Sequence, residues 1–477
     1  MKKFLAVLLS LLTMFTLLTP AFAAEEETPP LVIVRGMQFT GQYTDLGTEN
    51  EHPYLERISV GNIAVAVIKA LVNAIVSHSR DAFADSMIES LLWMFEEMAC
   101  DSDGNSIYDV SPVVYPGAFS QYIDSADLGD GGEDALLAAA CERYGAENVY
   151  YFVYDWRLDP YDVAEDIYDT VEQAKAEHQT DKVNVIACSM GGVMLNAYMY
   201  RYGYESINSC VHLSSTFQGT YCTTDLFQGK AVLNSQALSF LLQNQTGGAL
   251  PSSIINAVSS VAGMLCNLFI DEFKGDIYEG FMRSTFATVP SLWAVTLPDE
   301  LESCIDYVFP TAALQEEYSG VIARARRMGE INAQTDQMLL NAQADGCKIS
   351  VVASYNGSCV PFYARANVHG DGTLESPLML GGATMAPVGE TLAESYAAAE
   401  PACLSPDRIL DMSTALFPEN TWALKGAPHV PSRVGSDVTE FLFALIESDA
   451  QPTVSNMTGY TQFMQADSEL QLQPVTA

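Results

Sequence analysis

Val183-Asn184-Val185-Ile186-Ala187-Cys188-Ser189-Met190-Gly191-Gly192 is the stretch whose reading decides the fold. Its first six residues are almost wholly apolar, as a strand buried on both faces requires. Val193 to Tyr202 then continues with helical character. A serine on a strand-to-helix turn of this kind projects its hydroxyl from the edge of a sheet, and the turn is sharp enough to need small neighbours. Ala187 and Gly191 supply them. An ordinary strand-to-helix turn with an incidental serine looks the same in isolation, so the surroundings and partners of Ser189 carry the reading.

Working outward, the rhythm on both sides alternates strand and helix. Leu31-Val32-Ile33-Val34 is an apolar run ending at Arg35-Gly36, and Val149 to Tyr154 is another. Ala164, Ile167, Val171 and Ala174 step by three and four, the stripe of a helix that buries one face. Val211-His212-Leu213 and the run 349–353 are further strands, and Val438, Phe441, Leu442 and Leu445 mark a last helix opened by Asp437 and Glu440 as a capping box. Strands alternating with helices imply a mostly parallel sheet with crossovers. The expected architecture is an α/β-hydrolase core with an inserted helical cap. Residues 29–219 form its first part, with a helical insertion at about 57–98. Residues 220–344 form the cap, 345–450 the second part of the core, and 451–477 a polar, loosely held tail.

A serine hydroxyl needs a base to become a nucleophile, and in this fold the chain order is serine, acid, histidine. Of six histidines, His52, His78 and His178 precede Ser189, and His212 lies in the strand just after the serine's helix. His429 precedes the final helix in a Gly-Pro loop, where the base belongs. Asp371, in Gly370-Asp371-Gly372-Thr373, is the acid expected to hold it; the same string is also a plain Asp-Gly turn. His369 is expected to flank the site, and Asp407 and Asp411 are the alternative acids. The oxyanion that forms on an attacked acyl carbon requires two backbone donors. Met190 N–H is one and Met37 N–H, after the first strand, is the other, with Gln38 as its alternative.

Composition narrows the class. The 477 residues carry 22 Lys and Arg against 60 Asp and Glu, a net charge of −38, which repels phosphate backbones and excludes nucleic acid as partner. With 49% hydrophobic and 17% charged residues the chain has ample core. Met1-Lys2-Lys3, the apolar run to Leu18 and Ala21-Phe22-Ala23 read as a cleavable signal over 1–23, so the protein is expected outside the cytoplasm. In that setting ten cysteines invite disulfides, with Cys210/Cys222, Cys347/Cys359, Cys100/Cys141 and Cys266/Cys304 as pairs that sequence distance allows, against buried free thiols as the alternative. No metal is expected: there is no CxxC set, and the Asp101, Asp103, Asn105 series has Ser106 where a calcium loop needs Gly and Pro112 where it needs Glu. An Asx-rich turn is the better reading.

Tyr154-Asp155-Trp156-Arg157-Leu158-Asp159-Pro160, followed by Cys188-Ser189-Met190-Gly191-Gly192, resembles the lecithin:cholesterol acyltransferase family. The similarity continues motif by motif through Leu213 to Gly219, Pro290-Ser291-Leu292-Trp293 and Gly370 to Thr373. The resemblance implies an acyl-ester hydrolase or acyltransferase acting on lipid-like esters through an acyl-serine. It implies Ser189, Asp371 and His429 as nucleophile, acid and base, with no cofactor. Arg35-Gly36 departs from the His-Gly or Pro-Gly of many relatives, and Ala187 from their Gly. Asp155 and Arg157 are read as a partly buried, structural ion pair, and Trp156 as pocket lining or core. The expected partner is a lipid or other acyl ester, with transient contact to a lipid surface. A small-ester esterase, a thioesterase or a non-catalytic binding protein on the same fold are the competing readings. In the cap, the apolar run 254–269 reads as packing or a lid, and Arg324, Arg326 and Arg327 as a solvated helix face.

Overall fold

The computed structural model describes residues 28–38, 41–126, 132–232, 275–431, 436–467 and 471–476. The expected signal over 1–23 and the apolar run 254–269 lie outside the described residues. The centre is an eight-stranded sheet: β1 (Leu31–Val34), β2 (Val149–Phe152), β3 (Val183–Cys188), β4 (Ile207–Leu213), β5 (Lys348–Tyr355), β6 (Thr421–Lys425), β7 (Phe463–Ala466) and β8 (Leu472–Pro474). Their spatial order is β8-β7-β6-β5-β4-β3-β1-β2, parallel throughout except for the antiparallel β7/β8 pair. This is the mostly parallel, helix-covered sheet of an α/β-hydrolase-like fold.

Side-chain alternation along the strands sorts the core into two layers. Val32 and Val34 of β1 and Val185 and Ala187 of β3 face one cluster, while Leu31, Ile33, Ile186 and Cys188 face the other. Three helices cover the first face: α4 (Pro160–His178), α5 (Met190–Tyr202) and α10 (Ser319–Ala344). The stripe Ala164, Ile167, Val171 and Ala174 is buried as its spacing predicts, and Asp159 caps α4 by accepting Tyr161 N–H at 2.9 Å. Each fully buried aliphatic side chain in such a layer contributes about 1.5–3 kcal/mol. The second face is covered by α3 (Gly132–Tyr144) and α11 (Ser436–Glu447), through Leu136, Leu137, Val438, Phe441 and Leu445.

Two insertions leave the C-terminal ends of strands. After β1 come the helical hairpin α1 (Val60–Ser77) and α2 (Asp81–Phe95). After β4 come α6 (Tyr221–Phe227), α7 (Pro290–Ala294), α8 (Leu301–Val308) and α9 (Ala312–Glu317), ahead of α10. They meet where Phe95 packs on Phe281 and Phe286, ring centroids 5.5 Å apart in both pairs, and where Cys100 N–H donates to Thr288 Oγ1 at 2.9 Å. The final helix of the 220–344 span, α10, lies on the sheet's first face among the core residues through Val321, Met328, Ile331 and Leu339.

One expectation needs correcting. The tail is not loose, because Phe463 and Met464 are buried and β7 and β8 extend the sheet beside β6. Among the described cysteines all thiols are free, and the thiol of Cys210 neighbours that of Cys347 rather than Cys222. Residue Cys210 pairs in register with Ile349, two residues on from Cys347, so parallel pairing aligns both thiols on one face.

Candidate active site

The topology makes its own crevice. From β1 the chain moves outward to β2, then returns to β3 on the other side of β1, so the crossovers diverge at the C-terminal ends of β1 and β3. Ser189 follows β3 directly. Its backbone sits at φ 51°, ψ −123°, a region L-residues avoid, at a cost on the order of 1–3 kcal/mol. The conformation is held by Ser189 N–H donating to Leu213 O at 2.9 Å and Gly192 N–H donating to Ser189 O at 3.1 Å. The glycines make it sterically feasible. A Cβ on Gly191 would stand 2.7 Å from Arg35 O and nearer still to Val34 O, and one on Gly192 would collide with Ser215. The small residue two positions after the serine is therefore required by the end of β1.

His429 arrives on the loop after β6, turned at Gly426 (φ 68°), whose N–H donates to Tyr355 O at 2.7 Å. Its Nε2 is 2.8 Å from Ser189 Oγ and its Nδ1 is 2.7 Å from Asp371 Oδ2. Asp371 comes from the loop after β5, steadied where His369–Gly370 pairs with Gly357–Ser358. Its other oxygen, Oδ1, accepts Thr373 N–H at 2.9 Å and Leu374 N–H at 2.8 Å. The Asp-Gly turn and the histidine partner are thus the same residue, one carboxylate oxygen for each. The Asp371 side chain is fully buried while that of His429 is 20% exposed, which leaves the serine end of the chain reachable.

The remaining candidates separate cleanly. Met190 N–H opens α5 and so has no acceptor within its helix, as an oxyanion donor requires. Met37 follows Gly36, whose backbone presses on Ser189: a Cβ there would lie 2.8 Å from Ser189 Cβ. Gln38 instead lines a cleft of about 510 Å³ with Arg35, Tyr43, Tyr115, Tyr122 and Tyr151. Asp407 is engaged by Lys425 at 2.9 Å and Tyr355 at 3.0 Å, and Asp411 by Ser413 and Tyr396, so neither serves His429. His369 is buried on its short strand. His212 is wholly buried under the start of α5, and burial pushes its pKa down to about 4.

Asp155 and Arg157 form a buried pair, with Arg157 Nη2 to Asp155 Oδ2 at 2.7 Å. Arg157 also donates to Glu97 O at 2.7 Å and Ser106 Oγ at 2.6 Å, tying the first insertion to the sheet. Trp156 is 1% exposed within the core. Asp101 accepts the N–H groups of Asp103 and Asn105 at 3.0 and 2.8 Å, an Asx turn. The arginines of α10 are not merely solvated. Arg324 and Arg327 both bond Asp159, and Arg326 bonds Glu302 at 2.8 Å.

Sequence reasoning missed Glu133 on α3. Its Oε1 accepts Gly36 N–H at 2.8 Å and its Oε2 accepts from Arg35 Nε at 3.2 Å. The available signal was Arg35 itself, a cation at the end of a buried strand, which demands an acid nearby.

No known family model matches the chain, and no curated protein matches it. Among solved structures it is similar to a chain of the Tle4–Tli4 complex, with 10% identity and a TM-score of 0.34 over 87% of this chain and 97% of that one. At that score the two share too little for either to inform the other's chemistry.

Proposed function

We propose that this protein is a serine-dependent acyl-ester hydrolase or O-acyltransferase acting on lipid-like esters. The observation that carries the reading is the continuous hydrogen-bonded chain from Ser189 Oγ through His429 to Asp371 Oδ2. His429 Nε2 takes the hydroxyl proton as Oγ attacks the acyl carbonyl. Asp371 holds Nδ1–H and stabilises the imidazolium. The N–H groups of Met190 and Met37 receive the oxyanion. The imidazolium then protonates the departing alcohol, and water or a second alcohol resolves the acyl-serine by the reverse relay. This chemistry needs no cofactor.

The lipid-like preference draws support from α1. Val65, Ile68, Val72, Ile75 and Val76 stand on its outer side with 50–75% of their surface exposed, at helical spacing. An exposed apolar stripe of this kind supports contact with an apolar phase. The motif resemblance to the lecithin:cholesterol acyltransferase family points the same way. We propose too that the protein works outside the cytoplasm, on the strength of the leader Met1 to Ala23.

The test is fluorophosphonate labelling of the full chain beside Ser189→Ala, followed by hydrolysis of a soluble short-chain ester and an emulsified long-chain ester. Labelling of the wild type alone supports an activated serine. Absence of labelling in folded protein overturns the enzyme reading in favour of a binding protein. Ile68→Asp with Ile75→Asp is expected to lower turnover of the emulsion and spare the soluble ester. Equal loss on both, or a wild type that prefers the short ester, points to the small-ester reading.

A further inference from the structure

The loop that bears Met37 is held in place by a residue with no part in the Ser189–His429–Asp371 chain. Glu133, at the start of α3, is 9% exposed and reaches across from the second face of the sheet to the end of β1. Its carboxylate is a two-point clamp: Oε1 on Gly36 N–H at 2.8 Å, Oε2 on Arg35 Nε at 3.2 Å. The clamp lies against the nucleophile. A Cβ on Gly36 would stand 3.0 Å from Glu133 Oε1 and 2.8 Å from Ser189 Cβ. The carboxylate and the serine therefore both crowd the place where a Gly36 side chain would stand.

A buried anion so close to a developing oxyanion opposes it unless its charge is met. Arg35 meets it. The same guanidinium lies 3.5 Å from Asp134 and over the Tyr151 ring at 5.5 Å, so it is fixed rather than free to follow substrate. The other titratable groups around Glu133 are His429, Tyr151, Tyr154 and Cys188. Because Gly36 N–H is committed to Glu133, it cannot serve as the oxyanion donor. The orientation of its peptide in turn constrains the following one, which carries Met37 N–H.

We propose that Glu133 is a positioning residue for the oxyanion site: by clamping Gly36 N–H and the Arg35 guanidinium it sets the Met37 N–H beside Ser189. Arg35, shared with Asp134, offsets the charge of the clamp. This role rests on the ester-hydrolase reading and extends it to a residue that touches neither substrate nor nucleophile.

The experiment uses the full chain and two readouts, ester turnover and inhibition by a trifluoromethyl ketone whose adduct on Ser189 carries an oxyanion. Glu133→Ala removes the clamp and is expected to lower kcat by about 100-fold, with the ketone's Ki rising in step and KM nearly unchanged. Glu133→Gln keeps an oxygen for Gly36 N–H and is expected to retain kcat to within about fivefold. Arg35→Met leaves the carboxylate unmatched and is expected to lower kcat and ketone affinity together, by about tenfold. If Glu133→Ala does not fold, Glu133→Gln and Arg35→Met decide. Wild-type kcat in Arg35→Met, or ketone affinity unmoved while kcat falls, overturns the role. So does a folded Glu133→Ala that turns over like wild type. A wild type that neither turns over ester nor binds the ketone overturns the hydrolase reading itself, and this role with it.

Discussion

Asp371→Asn tests the proposed chemistry more sharply than removal of the acid, because the structure dictates which way the amide faces. Asp371 Oδ1 accepts two backbone N–H groups, from Thr373 and Leu374, at 2.9 and 2.8 Å. An asparagine keeps its oxygen there, since turning the NH2 toward two donors would forfeit both hydrogen bonds in a buried site. The NH2 group then faces His429 Nδ1, where Oδ2 stood at 2.7 Å. Two donors cannot share that contact, so the imidazole shifts its proton to Nε2, and Nε2–H points at Ser189 Oγ in place of a lone pair. The nucleophile loses its base while the turn keeps its hydrogen bonds. A wrong tautomer of this kind lowers kcat by about 10⁴, roughly 5 kcal/mol of transition-state free energy. The assay is turnover of a soluble ester near neutral pH, with the unfolding midpoint measured alongside. The expected result is near-complete loss of kcat, small change in KM and a midpoint close to wild type. An Asp371→Asn protein within tenfold of wild-type kcat would refute the assignment of Asp371 as the partner of the base.

Three further perturbations follow from neighbouring geometry. Asp155→Ala leaves the wholly buried Arg157 without its carboxylate and is expected to lower unfolding free energy by about 3–5 kcal/mol in urea titration, while folded protein keeps its kcat. A parallel loss of kcat in folded protein would instead assign the pair to catalysis. His212 is buried neutral with its pKa down from 6.5 to about 4. The unfolded chain takes up a proton near 6.5 while the folded one resists until about 4, so stability falls as pH drops through that window and levels off below it. The loss is about 3 kcal/mol, and His212→Gln should flatten that segment of a stability–pH curve; an unchanged slope would contradict it. Gly191→Ala sets a methyl against Val34 O and Arg35 O, backbone atoms that cannot rotate aside, and should cost about 1–3 kcal/mol and displace the Arg35–Gly36 loop, seen as reduced kcat. Normal turnover in that variant would contradict the packing account.

Much of this arrangement was legible because its signals are local. The runs Leu31–Val34 and Val183–Cys188 are buried on both faces, and buried parallel strands read as unbroken apolar sequence. The elbow declares itself through residues within three positions of Ser189. The tail was misread because Phe463–Ala466 and Leu472–Pro474 are short strands at the sheet's edge, where one side meets solvent and Gln465 and Gln473 suffice. The neighbour of Cys210 was not legible because sequence distance is a poor guide when a parallel crossover brings in Cys347, 137 positions further along the chain. Glu133 was missed for a similar reason, lying 97 residues beyond Gly36. Yet this last omission had a physical trace. Arg35 ends an apolar strand, and a guanidinium there must find a carboxylate on whichever helix covers that end of the sheet. Arg35 is therefore half of a pair, with the other half on α3. The two residues are best varied together: if the clamp acts as a unit, Glu133→Gln combined with Arg35→Met should cost less than the two single effects added, because each removes the charge that makes the other necessary.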